Sequence, residues 1–350
     1  MKYLRFILLT IFIGASFWML NRKGDLSMVI IMGSVVAILL VFTIIWRIME
    51  AKKSSMAQEI KDRTITWWWM VAVFMVAMST HRIISFIFLG FLCFSSLREY
   101  FSMIPMCETH HAKTLSFHDR TSVFLSFLAI PVTMWVAYIA WYELFIIIVP
   151  VYLVLLVPIV FVIQDRAEGS IKSLGIIYLG LMLFVYNLGH CLFMINIGPM
   201  LLMFCFVLTE ARDVLSFWTG KAFAGIATRI GDGPAKSILE LKIAKRVSPQ
   251  KTWMAGLVAA FMVSALALVF VPIIPPFEQG ALSYPYAAFV GFLIGILGLF
   301  GDLVFSMIKR DMGIKDSGNL LPGHGGIIDR VDSLVFTIPI TFHLIYWMYF

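Results

Sequence analysis

Residues 306–332 read SMIKRDMGIKDSGNLLPGHGGIIDRVD, and this stretch decides how the rest of the chain is read. It holds Lys309, Arg310, Lys315 and Arg330, four aspartates, a His-Gly-Gly run and three further glycines. The surrounding chain is mostly hydrocarbon. So much charge beside apolar segments is costly unless it does chemistry. Acids can hold a divalent cation, bases can hold phosphate, and glycines let backbone approach either. The combination points to phosphate handling at a membrane surface.

Working outward, the whole chain is 61% hydrophobic and 13% charged, with mean hydropathy +0.94. Soluble domains carry roughly 25% charged residues. The composition therefore predicts an all-α, polytopic integral membrane helix bundle, because a bilayer interior demands internally satisfied backbone. At about 20 residues per crossing, apolar runs predict eleven spans. They lie near 4–20, 27–48, 65–80, 83–97, 122–141, 143–163, 172–188, 191–209, 254–274, 286–308 and 333–350. Residues 1–64 read as an added N-terminal hairpin with a linker, and 65–350 as the main membrane domain.

Lysine and arginine placement orients the bundle. The 211–253 segment has eight basic and three acidic residues, whereas 275–285 has no Lys or Arg. The first is expected in the cytoplasm and the second outside. This puts the N-terminus and 309–332 in the cytoplasm, and leaves Arg22 and Lys23 on the disfavoured side. The expected location is a bacterial inner membrane. Met1–Leu20 reads as a retained span, since Asn21-Arg22-Lys23 is a poor cleavage site. Cys93, Cys107, Cys191 and Cys205 lack a CxxC spacing and read as free packed thiols. The net charge of +7 fits an anionic lipid surface and gives no argument for nucleic acid.

Asp302 sits deep in an apolar run, which makes it a functional candidate by default. Asp302, Ser306 and Lys309 follow i, i+4, i+7 and share one helix face. The alternative is a structural partner for Lys309 or Arg310. Lys315 to Gly326 is too rich in Gly and Pro for a helix, and its amides suit a phosphate cradle. His324 fits a phosphate donor or a loop brace. Asp329 fits a helix cap, and Arg330 and Asp332 a local pair. A second polar cluster starts at Glu210-Ala-Arg212-Asp213 and ends at Arg246-Val-Ser248-Pro249-Gln-Lys251-Thr252-Trp253. His110 and His111 read as surface histidines.

The run Ser306-x2-Lys309-Arg310-x4-Lys315-Asp316-x-Gly318-x2-Leu321-Pro322-x-His324-Gly325-Gly326-x2-Asp329-Arg330-x-Asp332 resembles the signature of the phosphatidate cytidylyltransferases, also called CDP-diacylglycerol synthases. Gly301-Asp302 and Ser248-Pro249-Gln-Lys251-Thr252-Trp253 are similar to further elements of that family. So is Asp213 followed by Phe217-Trp218-Thr-Gly220-Lys221. The resemblance spans roughly 65–350. One departure is Met254, where the family usually carries an acid.

The resemblance implies transfer of a cytidylyl group from CTP to phosphatidate, giving CDP-diacylglycerol and pyrophosphate. It implies magnesium, with room for a second cation, held by Asp302, Asp329 and Asp332, with Asp213 and Asp316 as further candidates. Lys309, Arg310, Lys315, Asp316, His324 and Arg330 are the implied catalytic set. Asp213, Ser248, Pro249, Lys251, Thr252, Ser306, Gly325 and Gly326 are the implied substrate contacts. The expected partners are CTP, phosphatidate or a related lipid phosphate, and bilayer lipid. A homodimer is compatible with this reading, and no nucleic acid is implied. Three other readings stay open: a cytidylyltransferase for another lipid phosphate, favoured by Met254; a transporter of a phosphorylated solute; and a catalytically silent scaffold, if the loss of the acid at 254 is disabling. A transporter should carry two repeated halves with broken helices at mid-bilayer, and no such repeat stands out.

Overall fold

The structure is a computed structural model that describes residues 2–53, 57–104, 117–230, 232–274, 277, 283–318 and 325–350. In chain order the helices are α1 (Lys2–Lys23), α2 (Leu26–Ala51), α3 (Ala57–Ser79), α4 (Arg82–Met103) and α5 (Phe117–Tyr138). There follow α6 (Tyr142–Ile163), α7 (Ser170–Ile197), α8 (Pro199–Ala227) and α9 (Pro234–Leu239). A short hairpin, β1 (Lys242–Ala244) with β2 (Ser248–Thr252), leads into α10 (Trp253–Phe270), α11 (Ser283–Asp311) and α12 (Ile328–Tyr349). This is the predicted helical membrane bundle.

Among the described residues, eight helices are long and apolar enough to cross a bilayer, three fewer than the eleven expected. The difference falls on α1, α3 and α8. Lys61, Asp62, Arg63 and three consecutive tryptophans lower the hydropathy of α3. Helix α8 carries Glu210, Arg212 and Asp213 mid-length. The predicted span 191–209 is also cut differently. Its first residues finish α7, and Pro199 opens α8, where its missing N–H costs nothing. Helix α8 then runs on to Ala227, so the start of the segment expected as loop from 211 is helical.

The N-terminal hairpin packs on α3. Asp25 caps α2 by accepting from the Met28 amide at 3.0 Å. Trp68 Nε1 donates to Thr43 Oγ1 at 2.9 Å, and Lys61 pairs with Glu50 at 2.9 Å. Lys23 donates to the carbonyls of Ser79 and Thr80 at 2.8 and 2.6 Å. It thus satisfies carbonyls at the negative end of α3.

The site-bearing half is α8, α10, α11 and α12. Helices α10 and α11 pack most extensively, because small residues line the seam. A side chain at Gly295 would sit 2.5 Å from Ala260 Cα, and one at Gly291 would sit 2.6 Å from Ala267 Cβ. This close approach sets the N-terminus of α10 beside the last turns of α11. Thr252 caps α10, its hydroxyl accepting from the Ala255 amide at 3.4 Å, and Thr219 Oγ1 donates to the Ala255 carbonyl at 3.2 Å, tying in α8. Away from the site, α6, α7 and α12 enclose a polar chain. Trp347 Nε1 donates to the Tyr142 hydroxyl at 3.2 Å. Tyr142 meets His343 Nδ1 at 3.3 Å, and His343 Nε2 meets His190 Nε2 at 3.2 Å. Cys93, Cys191 and Cys205 are free and buried, as expected, and Cys107 lies outside the described residues.

Candidate active site

The site is built where the final turns of α11, the first turn of α12, the middle of α8 and the end of β2 converge. Asp302, Ser306 and Lys309 do share one face of α11. Ser306 Oγ donates to Asp302 Oδ1 at 3.3 Å. The other Asp302 oxygen, Oδ2, takes the ammonium of Lys251 in a close ion pair, although 51 residues separate the two. Lys309 Nζ reaches Asp329 Oδ1 at 2.7 Å. Two segments far apart in the sequence, 248–252 and the described part of 302–332, therefore form one cluster.

Arg212 is the largest fully buried side chain, 1% exposed. Its guanidinium donates to Ser333 Oγ at 2.5 Å and pairs with Asp213 at 2.6 Å. Its Nε has no partner among the described residues. The motifs singled out Asp213 and passed over Arg212. The available signal was an arginine next to an acid at the end of an apolar run, since such a group is retained only when paired. Asp332 is 9% exposed. Its Oδ1 accepts from the Ser333 amide at 2.6 Å and from the Ser333 hydroxyl at 3.2 Å, closing a local turn.

The carboxylates of Asp213, Asp302 and Asp332 lie close enough to feel one another's charge, and Glu210 joins them through Asp213 and Asp332. With Asp329 this makes five acids, facing Arg212, Lys251, Lys309 and Arg330. Polyphosphate entering beside these acids would add like charge, which an added cation would offset. The carboxylates of Asp213, Asp302 and Asp332 are of the oxygen-donor type that suits a divalent ion. Among the described residues no three His, Cys, Asp or Glu side chains already stand at metal-binding spacing. Asp329, also expected as a metal ligand, sits at the centre of a bonded network. Besides Lys309, its Oδ2 accepts from the amides of Ser317 at 3.0 Å and Gly326 at 2.9 Å. Its oxygens close the loop.

Of the Lys315–Gly326 loop expected to cradle phosphate, two amides among the described residues, those of Ser317 and Gly326, point at Asp329. Just beyond it, the amides of Ile327 and Ile328 point at Glu99 of α4, at 2.8 and 3.2 Å. Glu99 carries no motif and was missed. Gly325 has φ +78°, and a side chain there would strike Asp329 Oδ2. A side chain at Gly326 would overlap Glu99 Oε1 and Ser317 Oγ. The paired glycines thus allow two acids to approach the backbone closely.

The remaining predicted residues divide by position. Arg310, Lys315 and Asp316 are exposed at the end of α11 and just beyond it, with Arg310 donating to the Ile314 carbonyl at 3.0 Å. Ser248 and Lys251 are half-buried, Thr252 is buried, and Pro249 faces outward on β2. Arg330 is half-buried within the cluster. Trp253 is 37% exposed and leans on Phe300 at 6.3 Å between ring centres. His110, His111 and His324 lie outside the described residues.

Comparison with known proteins gives the family. Residues 61–348 match the model of the Cytidylyltransferase family. The chain is 30% identical over 310 residues to "Uncharacterized protein YnbB" of Escherichia coli (strain K12), covering 86% of this chain and 91% of that protein. It is 40% identical over 145 residues to "Phosphatidate cytidylyltransferase 5, chloroplastic" of Arabidopsis thaliana, covering 39% of this chain and 29% of the relative. To "Phosphatidate cytidylyltransferase" of Synechocystis sp. it is 56% identical over 68 residues, 18% of this chain and 23% of the relative. The chain thus spans less than a third of the length of these two named enzymes. On the extent of the family match, this chain belongs to the cytidylyltransferase family, and is a nucleotidyltransferase built into a membrane helix bundle.

Proposed function

We propose that the chain is a CTP:phosphatidate cytidylyltransferase, forming CDP-diacylglycerol and pyrophosphate. The observation that carries the reading is the convergence of Lys251–Asp302, Lys309–Asp329 and buried Arg212–Asp213 at one end of the α10–α11 seam. Phosphoryl chemistry asks a protein mainly for positioning and charge neutralisation. An oxygen of the lipid phosphate attacks the α-phosphorus of CTP. A new P–O bond forms there, and the bond to the bridging oxygen of the β-phosphate breaks to release pyrophosphate. The attacking oxygen is already anionic near neutral pH, so no strong base is needed.

Lys251 and Lys309 are held extended by Asp302 and Asp329, so both ammonium groups are preplaced for incoming phosphate. Arg310 and Lys315, exposed beyond them, meet the polyphosphate first. Arg330 and Arg212 supply positive charge deeper in. Asp213, Asp302 and Asp332 would hold magnesium, which supplies charge neutralisation on the triphosphate and the departing pyrophosphate. The acyl chains stay in the bilayer beside the seam.

A second lipid phosphate is the competing substrate. Half-buried Met254, in the first turn of α10, stands where the resembling family carries an acid. Purified protein in detergent, given labelled CTP and magnesium with phosphatidate or another lipid phosphate, tests both readings. CDP-diacylglycerol and pyrophosphate in equal amounts are expected from phosphatidate. Product from a different lipid phosphate alone would reassign the acceptor, and no CDP-lipid from any would end the enzyme reading.

A further inference from the structure

Glu99 lies on α4, 228 residues before the amide it binds, and outside every element that carries the family resemblance. Its Oε2 accepts from the Ile327 amide at 2.8 Å and its Oε1 from the Ile328 amide at 3.2 Å. These are donors at the first turn of α12, where intrahelical partners are lacking and the helix dipole is positive. The carboxylate also fills the space a side chain at Gly326 would need, and lies 3.4 Å from where one at Gly318 would begin. The next residues of α12 are Asp329, which holds Lys309, then Arg330 and Asp332. We infer that Glu99 is a positioning residue for nucleotide binding: by holding the first amides of α12 it sets where Asp329, Arg330 and Asp332 stand against Lys309 and Asp302. This rests on the reading that the cluster binds CTP.

The chemistry explains why an acid is needed. A carboxylate accepts two amide hydrogens with its two oxygens. A glutamine can accept one, and its NH2 then faces the other amide. An alanine accepts none and leaves a gap beside Gly326. A free phosphate cannot use the Ile327 and Ile328 amides while Glu99 holds them, so nucleotide phosphates must rely on the cationic side chains that Glu99 keeps in register. A displacement of about 1 Å at such a site can cost roughly a hundredfold.

The experiment compares wild type, Glu99→Gln, Glu99→Ala and Gly326→Ala, each purified in detergent and checked for equal thermal stability. Hydrogen exchange of residues 325–332 is read together with kcat and KM for CTP. In Glu99→Ala the Ile327 and Ile328 amides should exchange at least about tenfold faster, and KM for CTP should rise about tenfold or more. Glu99→Gln should fall between alanine and wild type, and Gly326→Ala should reproduce the alanine result by pushing the carboxylate away. Unchanged protection in Glu99→Ala overturns the contact. Lost protection with an unchanged KM for CTP overturns the positioning role. A loss of kcat alone, in proportion to unfolded protein, also overturns it, since that marks a structural role. If wild type shows no cytidylyl transfer, the enzyme reading fails while the exchange data still decide the contact, and KM is replaced by CTP affinity measured directly.

Discussion

Lys309 Nζ and Asp329 Oδ1 stand 2.7 Å apart, with their side chains only 12% and 9% exposed. The pair bolts the last turns of α11 to the first turn of α12 across the glycine-rich segment. Breaking it from one side leaves a charge buried without its partner. Asp329→Asn should therefore cost about 3 kcal/mol of stability, read as a lower melting temperature in detergent. A Lys309→Met, Asp329→Asn double variant should recover part of that stability without recovering nucleotidyl transfer, because the asparagine oxygen still accepts from the Ser317 and Gly326 amides. A double variant less stable than either single one would show that the pair does not act as a unit.

The α10–α11 seam makes a contrasting prediction. Gly295→Val places carbon 2.5 Å from Ala260 Cα, so the helices must part. Overpacking of this kind costs about 1–3 kcal/mol. Gly14 of α1 has nothing within 4 Å of where a side chain would begin. Gly14→Ala should leave melting unchanged or raise it by up to about 1 kcal/mol of stability. The seam variant should also lose activity, since Lys251 and Asp302 sit at its end. Normal melting in Gly295→Val would mean that the seam is looser than described.

The acid cluster predicts magnesium dependence. Asp302→Asn and Asp213→Asn keep shape while removing charge. Each should lower turnover by roughly two orders of magnitude or more, and each should raise the magnesium concentration needed for half-maximal rate. Chelation should stop the wild-type reaction reversibly. A folded Asp302→Asn protein with near-normal turnover would reduce that residue to a brace for Lys251.

Sidedness is testable by single-cysteine labelling. Lys251 of β2 touches Asp302 of α11, so the 234–252 segment and the end of α11 emerge on one face. Lys23, bound to Ser79 and Thr80, marks the other. Cysteines at Lys236 and Gly318 should react with an impermeant reagent only from the cytoplasmic side, and one at Gly24 only from outside. Labelling of Lys236 and Gly318 from opposite faces would contradict the arrangement of the site.

By itself the sequence determined the class of molecule and much of its chemistry. Apolar runs leave a chain little choice but membrane helices, and the i, i+4, i+7 spacing put Asp302, Ser306 and Lys309 on one face because helical period is local. The signature likewise named the acids and bases. Tertiary structure decided who holds whom. No local rule pairs Lys251 with Asp302, fills the loop amides with Asp329 and Glu99, or buries Arg212 against Ser333. Those contacts depend on how closely α10 and α11 approach and where α4 ends, and both follow from packing between residues far apart in the chain. The helix count shifted for a related reason: α8 keeps Glu210, Arg212 and Asp213 inside a helix because the bundle supplies partners for charges that hydropathy treats as a boundary.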